Sequence, residues 1–439
     1  MSLRRTFLGA VALAFVALVS GCKISTINYF PPHPATVRVL NLMTDGSTVS
    51  VQVGGNTMYS NVAAESATDY QSFDNQTTSF GVFLNGGSTS SISFSVPLAG
   101  EQPYTLVVFG TAANPSATLL SEVANALTNG NIQVSVFNAA INISSVDIYV
   151  TAPGADITQL NPNYTFVSFN GSSLNLAFAP GTYQIQVTQQ GTKTVIFDSG
   201  GTVLQPNIAL ALILYSRGSA TLVNTAVLQS KGPTGFLTNI FARLKGVNAG
   251  DPAVGPVNQL LGTLAVNTNI AYGTTSNYYK GPAGNTTINF EASATPGAVI
   301  ASVPGTLVAA NDYSAFVVGS AGAQQAYLLR DVNNPPTATG TVRLRFVNAM
   351  KGSNPVNVSV AGTTQATAVA FPTASAYAQV TSAAAVPITF TDTATGATIL
   401  AITPDLNVAQ SGFTTIPLTL TLYLIGSPSA PAVIITQDQ

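Results

Sequence analysis

The chain has 439 residues, and only 7% of them are charged, with 14 Lys and Arg against 16 Asp and Glu. A typical soluble domain is about one quarter charged, so this surface must be solvated largely by neutral polar side chains. Nucleic acid is excluded as an expected partner, because affinity for it depends on clustered basic residues that neutralise phosphates.

The chain begins with a hydrophobic leader that ends at its single cysteine, Cys22. A start with two arginines, an apolar run from Phe7 to Val19 and small residues before the cysteine are typical of a secretory signal with a lipobox. We expect residues 1–21 to be removed and Cys22 to carry the lipid, since two acyl chains give stable membrane anchoring. The alternative is an ordinary cleaved signal with a chance cysteine beside it.

The leader also predicts where the protein resides. A lipidated chain belongs to the bacterial cell envelope, and Lys23, where an Asp would resemble an inner-membrane retention signal, favours the outer membrane. Arg4-Arg5 resembles a twin-arginine export signal as well, so the general-secretory and twin-arginine routes both remain open. The mature chain would carry 12 basic and 16 acidic residues, a formal net charge of −4. It would hold no internal disulfide.

Beyond a lipidated tether at residues 22–35, the chain repeats itself about every 100 residues. The predicted domains are residues 36–128, 129–231, 232–334 and 335–439. Each opens with an alternating strand that ends in an asparagine, namely Asn41, Asn138, Asn248 and Asn348. A tyrosine follows in each unit, at Tyr70, Tyr164, Tyr278 and Tyr377.

The repeats predict an all-β fold. Their short segments alternate apolar with small polar residues and are separated by Gly, Pro, Asn and Asp, as in an antiparallel sandwich or barrel. We predict four tandem immunoglobulin-like antiparallel β-sandwiches. The second strand is clear at Val49–Val53, and Gly262–Val266 is the best match in the third unit. Residues 232–247 are the one stretch that suggests a helical turn.

Each unit ends with a more continuously apolar pair of segments. Tyr104–Phe109 in the first unit and Ala315–Val318 in the third are examples. Strands that are covered on both faces have this composition. The sequence therefore indicates that part of each domain is buried on two sides.

The first and fourth units resemble the domain-of-unknown-function 4397 family. The resemblance lies in the Val-Arg-Val-x-Asn opening at Val37 to Asn41, in the alternating strand that runs into Gly54-Gly55, and in the segment leading to Tyr70. The fourth unit repeats this scheme from Val342 to Tyr377, while the second follows it loosely and the third least. The resemblance implies an exported β-sandwich, often in tandem, and it implies no reaction.

Chemistry-bearing residues are few. One histidine, His33, and one lipidated cysteine cannot form a Ser-His-Asp, Cys-His or zinc constellation, so we predict no catalytic residue, no cofactor and no metal site. The only predicted site residue is Cys22. The recurring asparagines would close turns, with a shared binding groove as the alternative. The recurring tyrosines would tie loops to each sandwich, with sugar stacking as the alternative.

These observations predict a non-catalytic envelope lipoprotein. Tandem sandwiches would serve as a spacer or as a multivalent binding and adhesion module, because repeated weak contacts add up to avidity. Candidate partners are the membrane, through the anchor, and an envelope protein or a glycan. The alternative function is a polysaccharide hydrolase that uses paired carboxylates.

Overall fold

The computed structural model of the chain describes residues 33–74, 76–123, 130–334, 336, 338, 340–406 and 419–438. Within these ranges the backbone forms strands and two short 3-10 turns, Ile157–Gln159 and Pro252–Val254. The prediction of an all-β chain of sandwich domains is confirmed. No helix in the described part of the chain has the length and apolar character needed to cross a membrane. Cys22 and the leader lie outside the described residues.

The strands fall into four successive domains. The first contains β1 (Ala35–Met43), β2 (Val49–Val53), β3 (Asn56–Val62), β4 (Ser66–Ala67), β5 (Gln71–Phe73), β6 (Thr77–Leu84), β7 (Ile92–Pro97), β8 (Pro103–Thr111) and β9 (Asn114–Ser121). The second contains β10 (Ile132–Asn138), β11 (Ser145–Thr151), β12 (Tyr164–Ser168), β13 (Leu176–Phe178), β14 (Gly181–Gln189), β15 (Val195–Leu204), β16 (Ala209–Ser216), β17 (Val223–Gln229) and β18 (Thr234–Leu237).

The last two domains follow the same plan. The third contains β19 (Phe241–Gly250), β20 (Val257–Leu261), β21 (Leu264–Ile270), β22 (Tyr279–Pro282), β23 (Gly284–Ala292), β24 (Val299–Leu307), β25 (Asp312–Gly319) and β26 (Gln325–Asp331). The fourth contains β27 (Thr341–Asn348), β28 (Val356–Val360), β29 (Thr363–Val369), β30 (Ala378–Thr381), β31 (Ile388–Asp392), β32 (Thr398–Ile402), β33 (Thr419–Ser427) and β34 (Ala430–Gln437).

Every domain is built from two sheets. We call the sheet that contains the first strand the interface sheet; its orders are β4-β1-β8-β9 with β5 also on β1, β13-β10-β16-β17-β18, β22-β19-β25-β26 and β30-β27-β33-β34. We call the other the outer sheet; its orders are β3-β2-β6-β7, β12-β11-β14-β15, β21-β20-β23-β24 and β29-β28-β31-β32. The shared order shows that the four domains have one topology.

One strand pair in each domain runs parallel. The pairs are β1 with β8, β10 with β16, β19 with β25 and β27 with β33. The other ladders between named strands are antiparallel, as predicted. A parallel pair needs a long crossover connection, and here the strands of the outer sheet supply it. Apolar and polar residues alternate in the same way in parallel and antiparallel strands, so the sequence pattern could not reveal that this pair is parallel.

The two sheets of each domain enclose a core of alternating side chains. In β2, the residues Val49, Val51 and Val53 are buried while the intervening residues are half-buried. The third domain packs Leu244, Ile288 and Phe290 in the same way between its sheets. A strand alternates its side chains between two faces, so a period of two places one face in the core.

A second set of cores lies between domains. The interface sheets of the first and second domains pack face to face through Leu42, Phe109, Phe137, Ile213 and their neighbours. Those of the third and fourth domains pack in the same way. All nine residues of β8 are consequently buried. The continuously apolar strands at the end of each unit are thus explained, because one face lies on the domain's own core and the other on the neighbouring domain.

Two local predictions are wrong. Residues 232–247 form no helical turn; they contain β18 and the start of β19, and β18 pairs with β17, so the second domain's interface sheet reaches Leu237. The second strand of the third domain is Val257–Leu261, and Gly262 lies in the turn that follows it, with a φ of 62°. In this strand four successive residues are buried, so the alternation that marks the other second strands is lost.

We predict that Phe316→Ala weakens the core between the third and fourth domains and so distinguishes it from the core inside each sandwich. Phe316 is fully buried between the third and fourth domains, with its ring centroid 6.1 Å from that of Tyr423. A buried Phe→Ala substitution costs about 3–5 kcal/mol. Hydrogen exchange should therefore accelerate in both β25 and β33.

Phe290→Ala is the matched control, because Phe290 lies inside the third sandwich. Its effect should be concentrated in β20 and β23. Unchanged protection of β33 in Phe316→Ala would contradict the pairing of the third and fourth domains through their interface sheets.

Candidate functional site

The recurring asparagines are structural. Asn41, Asn138, Asn248 and Asn348 are each 0% exposed. In Asn41 the Oδ1 atom accepts from the backbone N–H of Met43 at 2.9 Å, and Nδ2 donates to the carbonyl of Val62 at 2.8 Å. The other three repeat both contacts. The turn interpretation is confirmed, and none of these side chains lines an open groove.

The recurring tyrosines are of two kinds. Tyr70, Tyr278 and Tyr377 each lie under a basic side chain. Tyr164 does not belong with them, because its hydroxyl donates to the carbonyl of Val134, as that of Tyr59 does to Val37. The prediction that Tyr164 is equivalent to the other three is therefore wrong.

A basic residue, a tyrosine and an acid come together in three of the domains, and we call each set a polar triad. The basic residue lies three positions before the recurring asparagine. The acid lies at the end of the last strand of the interface sheet, or directly after it; these strands are β9, β26 and β34. The triads are Arg38, Tyr70 and Glu122; Lys245, Tyr278 and Asp331; and Arg345, Tyr377 and Asp438. Sequence reasoning missed them because it sought acids common to all four units.

The triads of the third and fourth domains exchange their charges. Lys245 Nζ lies 2.5 Å from Asp438, and Arg345 Nη2 lies 2.5 Å from Asp331, so each cation binds the acid of the other domain. All four side chains are at most 3% exposed. Removing one member of such a buried pair leaves an uncompensated charge. The exchange therefore ties the two domains together.

Burial and charge act in opposite directions on this cluster. Burial of Asp331 by itself would raise its pKa, but Arg345 and Lys245 outweigh burial, and the pKa is lowered from its usual value. Burial likewise would lower the pKa of Arg345, whereas Asp331 holds it well above its usual value. Tyr278 and Ser314 also donate to Asp331, each at 2.7 Å. The surroundings thus favour the charged forms of Asp331 and Arg345, and the Asp331 carboxylate also accepts hydrogen bonds from two hydroxyls.

The first triad reaches into the second domain. Arg38 pairs with Glu122 of its own domain at 3.2 Å, and it donates to the carbonyls of Gly232 at 2.7 Å and Gln229 at 3.0 Å. The Tyr70 hydroxyl donates to Glu122 at 2.7 Å. Burial raises the pKa of Tyr70, and the Glu122 charge raises it further. This triad therefore joins the first and second domains.

Asp312 joins the second and third domains. It is 0% exposed and pairs with Arg243 of its own domain at 2.5 Å. It also accepts from the Ser219 hydroxyl at 2.7 Å and from the Ala220 amide at 3.0 Å, both in the second domain. Each junction between successive domains therefore contains a buried ion pair.

The second domain has no polar triad. The register places Ser135 opposite Ala211 and Ala211 opposite Leu228, so Ser135 and Ser230 stand where the other domains have a cation and an acid. Asn175 takes the place of the tyrosine. Its position is fixed by Ser173, two residues earlier, whose hydroxyl accepts a hydrogen bond from the Val136 amide. These small side chains line a cavity of about 320 Å³ between the first two domains.

The other candidate residues form no assembled centre. His33 is exposed and lies 2.7 Å from Glu101. Among the described residues, no group of three or more His, Cys, Asp or Glu side chains could hold a metal ion. Glu122, Asp312, Asp331 and Asp438 are buried in ion pairs. Paired acids of this kind serve structure, because their charge is already compensated.

The chain belongs to the DUF4397 family, described as a domain of unknown function. The family model matches residues 35–149 and 247–352. The resemblance to this family is confirmed, and the first match includes the first domain as expected; the second match falls mainly on the third domain, where the resemblance is weakest, and extends only into the start of the fourth. Each match begins in the first or third domain and ends in the domain paired with it. No curated protein matches the chain in sequence.

Several solved structures share a distant likeness with the chain. One is a streptococcal virulence factor that binds α-glucan, with 9% identity over 41% of this chain and 93% of that one, and a TM-score of 0.17. A second is a carbohydrate-binding module of Amy13K from Eubacterium rectale in complex with maltoheptaose, with 14% identity, 46% and 98% coverage and a TM-score of 0.16. A third is the major pilin subunit BcpA of Bacillus cereus, with 10% identity, 67% and 99% coverage and a TM-score of 0.15. At these TM-scores the likenesses carry no argument about function.

We predict that Asp331→Asn destabilises the third and fourth domains by about 3–5 kcal/mol at pH 7, because it leaves Arg345 buried without its carboxylate. The folded-state pKa of Asp331 is depressed. Its stabilisation is therefore present above the unfolded pKa of about 3.9 and is lost as the pH falls through the folded pKa. Urea unfolding at pH 7 and at pH 2–4 should show a smaller acid-induced loss in the variant.

Asp74→Asn is the control, because Asp74 is exposed. It should leave both the stability and its pH dependence nearly unchanged. An Asp331→Asn protein as stable as the parent at pH 7 would show that the exchanged pairs do not hold the domains together.

Proposed function

We propose that the protein is a non-catalytic, lipid-anchored protein of the bacterial cell envelope whose four sandwiches form a rigid array. The array would act as a spacer or as a multivalent binding and adhesion module. The observation that carries this proposal is the buried ion pair at every junction between domains. In a flexible string of domains, such junctions would instead be exposed linkers.

Rigidity suits both roles. A stiff array keeps its far end at a fixed distance from its anchor, and it presents repeated surfaces at fixed spacings. Binding at several sites gains from this because the second contact becomes intramolecular, provided that the geometry allows both contacts. An envelope protein or a glycan is the proposed partner, since the surface is rich in neutral hydrogen-bonding groups and poor in charge.

The alternative hydrolase is not favoured by any particular contact. A two-carboxylate mechanism needs one acid that can hold a proton and one that faces the substrate. Within the described residues, the buried acids at the domain junctions are neutralised by Arg or Lys. The binding array is therefore the function that the geometry supports best.

The rigid array predicts a narrow distance distribution between the first and fourth domains. After Cys22→Ser no native thiol remains, so Asn56→Cys and Thr363→Cys, both at exposed positions, can carry spin labels. Pulsed electron resonance should give a distribution about as narrow as that of a pair within the fourth domain, Thr363→Cys with Ala394→Cys. A much broader distribution would contradict a rigid array.

The anchor predicts that Cys22→Ser releases the protein from the membrane, because only the cysteine thiol can form the thioether with the lipid. The parent should partition into detergent and incorporate a labelled fatty acid, while the variant should do neither. Ser20→Ala is the control, since it keeps the thiol and a small residue. Fatty-acid incorporation by the Cys22→Ser variant would rule out this attachment site.

A further inference from the structure

Lys245 is the one triad cation that can act as a nucleophile. The first and fourth domains carry Arg38 and Arg345 at this place, and a guanidinium is not deprotonated in proteins. A lysine amine, by contrast, attacks carbonyl carbons once it has lost its proton. Lys245 is 1% exposed, and no other lysine in the described part of the chain is buried. Its Nζ lies 2.5 Å from Oδ1 of Asp438, so an amine and a carboxyl group are in direct contact away from water.

The second oxygen of Asp438 is surrounded by hydrogen-bond donors. The hydroxyls of Thr421 and Tyr377 both donate to Oδ2, the latter at 3.3 Å. Arg345 Nη2 lies 4.0 Å from the same atom. Donors in this position stabilise the negative charge that develops on an oxygen when its carbon is attacked. Oδ2 is therefore placed to become an amide oxygen, while Oδ1, beside the amine, is placed to leave.

The charges of this cluster would balance after a reaction between the two groups as they do before it. Lys245 and Asp438 are buried ions, and the loss of hydration is costly for both. An amide carries no net charge and needs only hydrogen bonds. Arg345 and Asp331 would keep their own contact at 2.5 Å. Condensation would thus remove two of the four buried charges and leave one compensated pair.

We propose that Lys245 and Asp438 condense to form an amide bond between their side chains, which joins the third and fourth domains covalently. A proton passes from the ammonium group to Oδ1, and the lone pair of the neutral amine attacks Cγ. The Cγ–Oδ1 bond then breaks, and Oδ1 leaves as water with the transferred proton and a second proton from the nitrogen. The fold supplies the proximity, which is worth an effective concentration on the order of 10⁵–10⁸ M.

This bond goes beyond the proposed binding role and does not depend on it. It links β19, the first strand of the third domain, to the residue directly after β34, the last strand of the fourth. The chain between them is closed into a loop, so the two domains could not separate even when unfolded. The ion pair would in that case be the precursor of the bond.

The test is tryptic digestion of the purified full-length protein under denaturing conditions, followed by mass spectrometry. Trypsin does not cleave after an acylated lysine, and no Lys or Arg follows Lys351. The parent should give one branched peptide, in which residues 244–280 are joined to residues 352–439, lighter than the two peptides together by one water. Separate peptides 246–280 and 352–439 from the parent would overturn the proposal, whatever the variants show.

Two variants locate the bond. Lys245→Arg keeps a positive charge at the place where the other triads have arginine, but it removes the amine, so the branched peptide should be lost. Lys351→Arg is the matched control, since Lys351 is exposed and donates to the Ala323 carbonyl; it should retain the branched peptide. A product lighter by one water that persists in Lys245→Arg would rule out this lysine as the site.

Discussion

The buried ion pairs at the domain junctions are the interaction on which the rest of this architecture depends, and between the third and fourth domains their charges are exchanged. Each exchanged cation and acid has lost its hydration, and neither could remain charged at low cost without the other. Between the third and fourth domains the two partners come from different domains, and at the other junctions Arg38 or Asp312 also hydrogen-bonds the neighbouring domain, so the domains are held in one relative position. Hydrophobic contact alone is non-directional, so the ion pairs supply the register that the apolar faces lack.

The interface sheets make this arrangement possible. One face of each sheet closes the core of its own sandwich, and the other face closes a second core with the domain it is paired with, the first with the second and the third with the fourth. The first strand of every domain lies in the middle of its sheet, so a residue three positions before the buried asparagine always reaches the junction. Lys245 and Arg345 use that position for a cation, while Ser135 leaves it almost empty. The three triad positions of a repeat, here Ser135, Asn175 and Ser230, therefore decide together between a closed junction and a cavity.

Much of the fold follows from local pattern. Alternation in Val49–Val53 and its counterparts specifies strands, and the continuous apolar character of Tyr104–Phe109 indicates burial on two faces. The parallel pairing of β1 with β8 does not follow, because alternation has no direction. The second strand of the third domain was misplaced because Val257–Leu261 is buried almost throughout.

The polar triads were harder to predict from the sequence than the fold. Arg38, Lys245 and Arg345 share a spacing to the asparagine that is visible in the sequence. The acids of their triads, however, lie about 80 to 95 residues further along the chain, and only the folded structure brings such distant residues together. The search for features common to all four repeats also concealed the triads, since the second domain has none. The second domain, with Ser135 and Ser230 at the triad positions, shows what happens when the charged residues are missing, because a cavity lies there instead.

The two-faced interface sheet has a consequence for how such a chain can grow. A single additional domain would leave one face of its interface sheet, with residues equivalent to Phe316 and Tyr423, open to water and to other proteins. A chain that gains or loses domains two at a time avoids this exposure. The pair of sandwiches is therefore the smallest unit in this architecture that leaves no such face uncovered, and an odd number of domains would favour self-association.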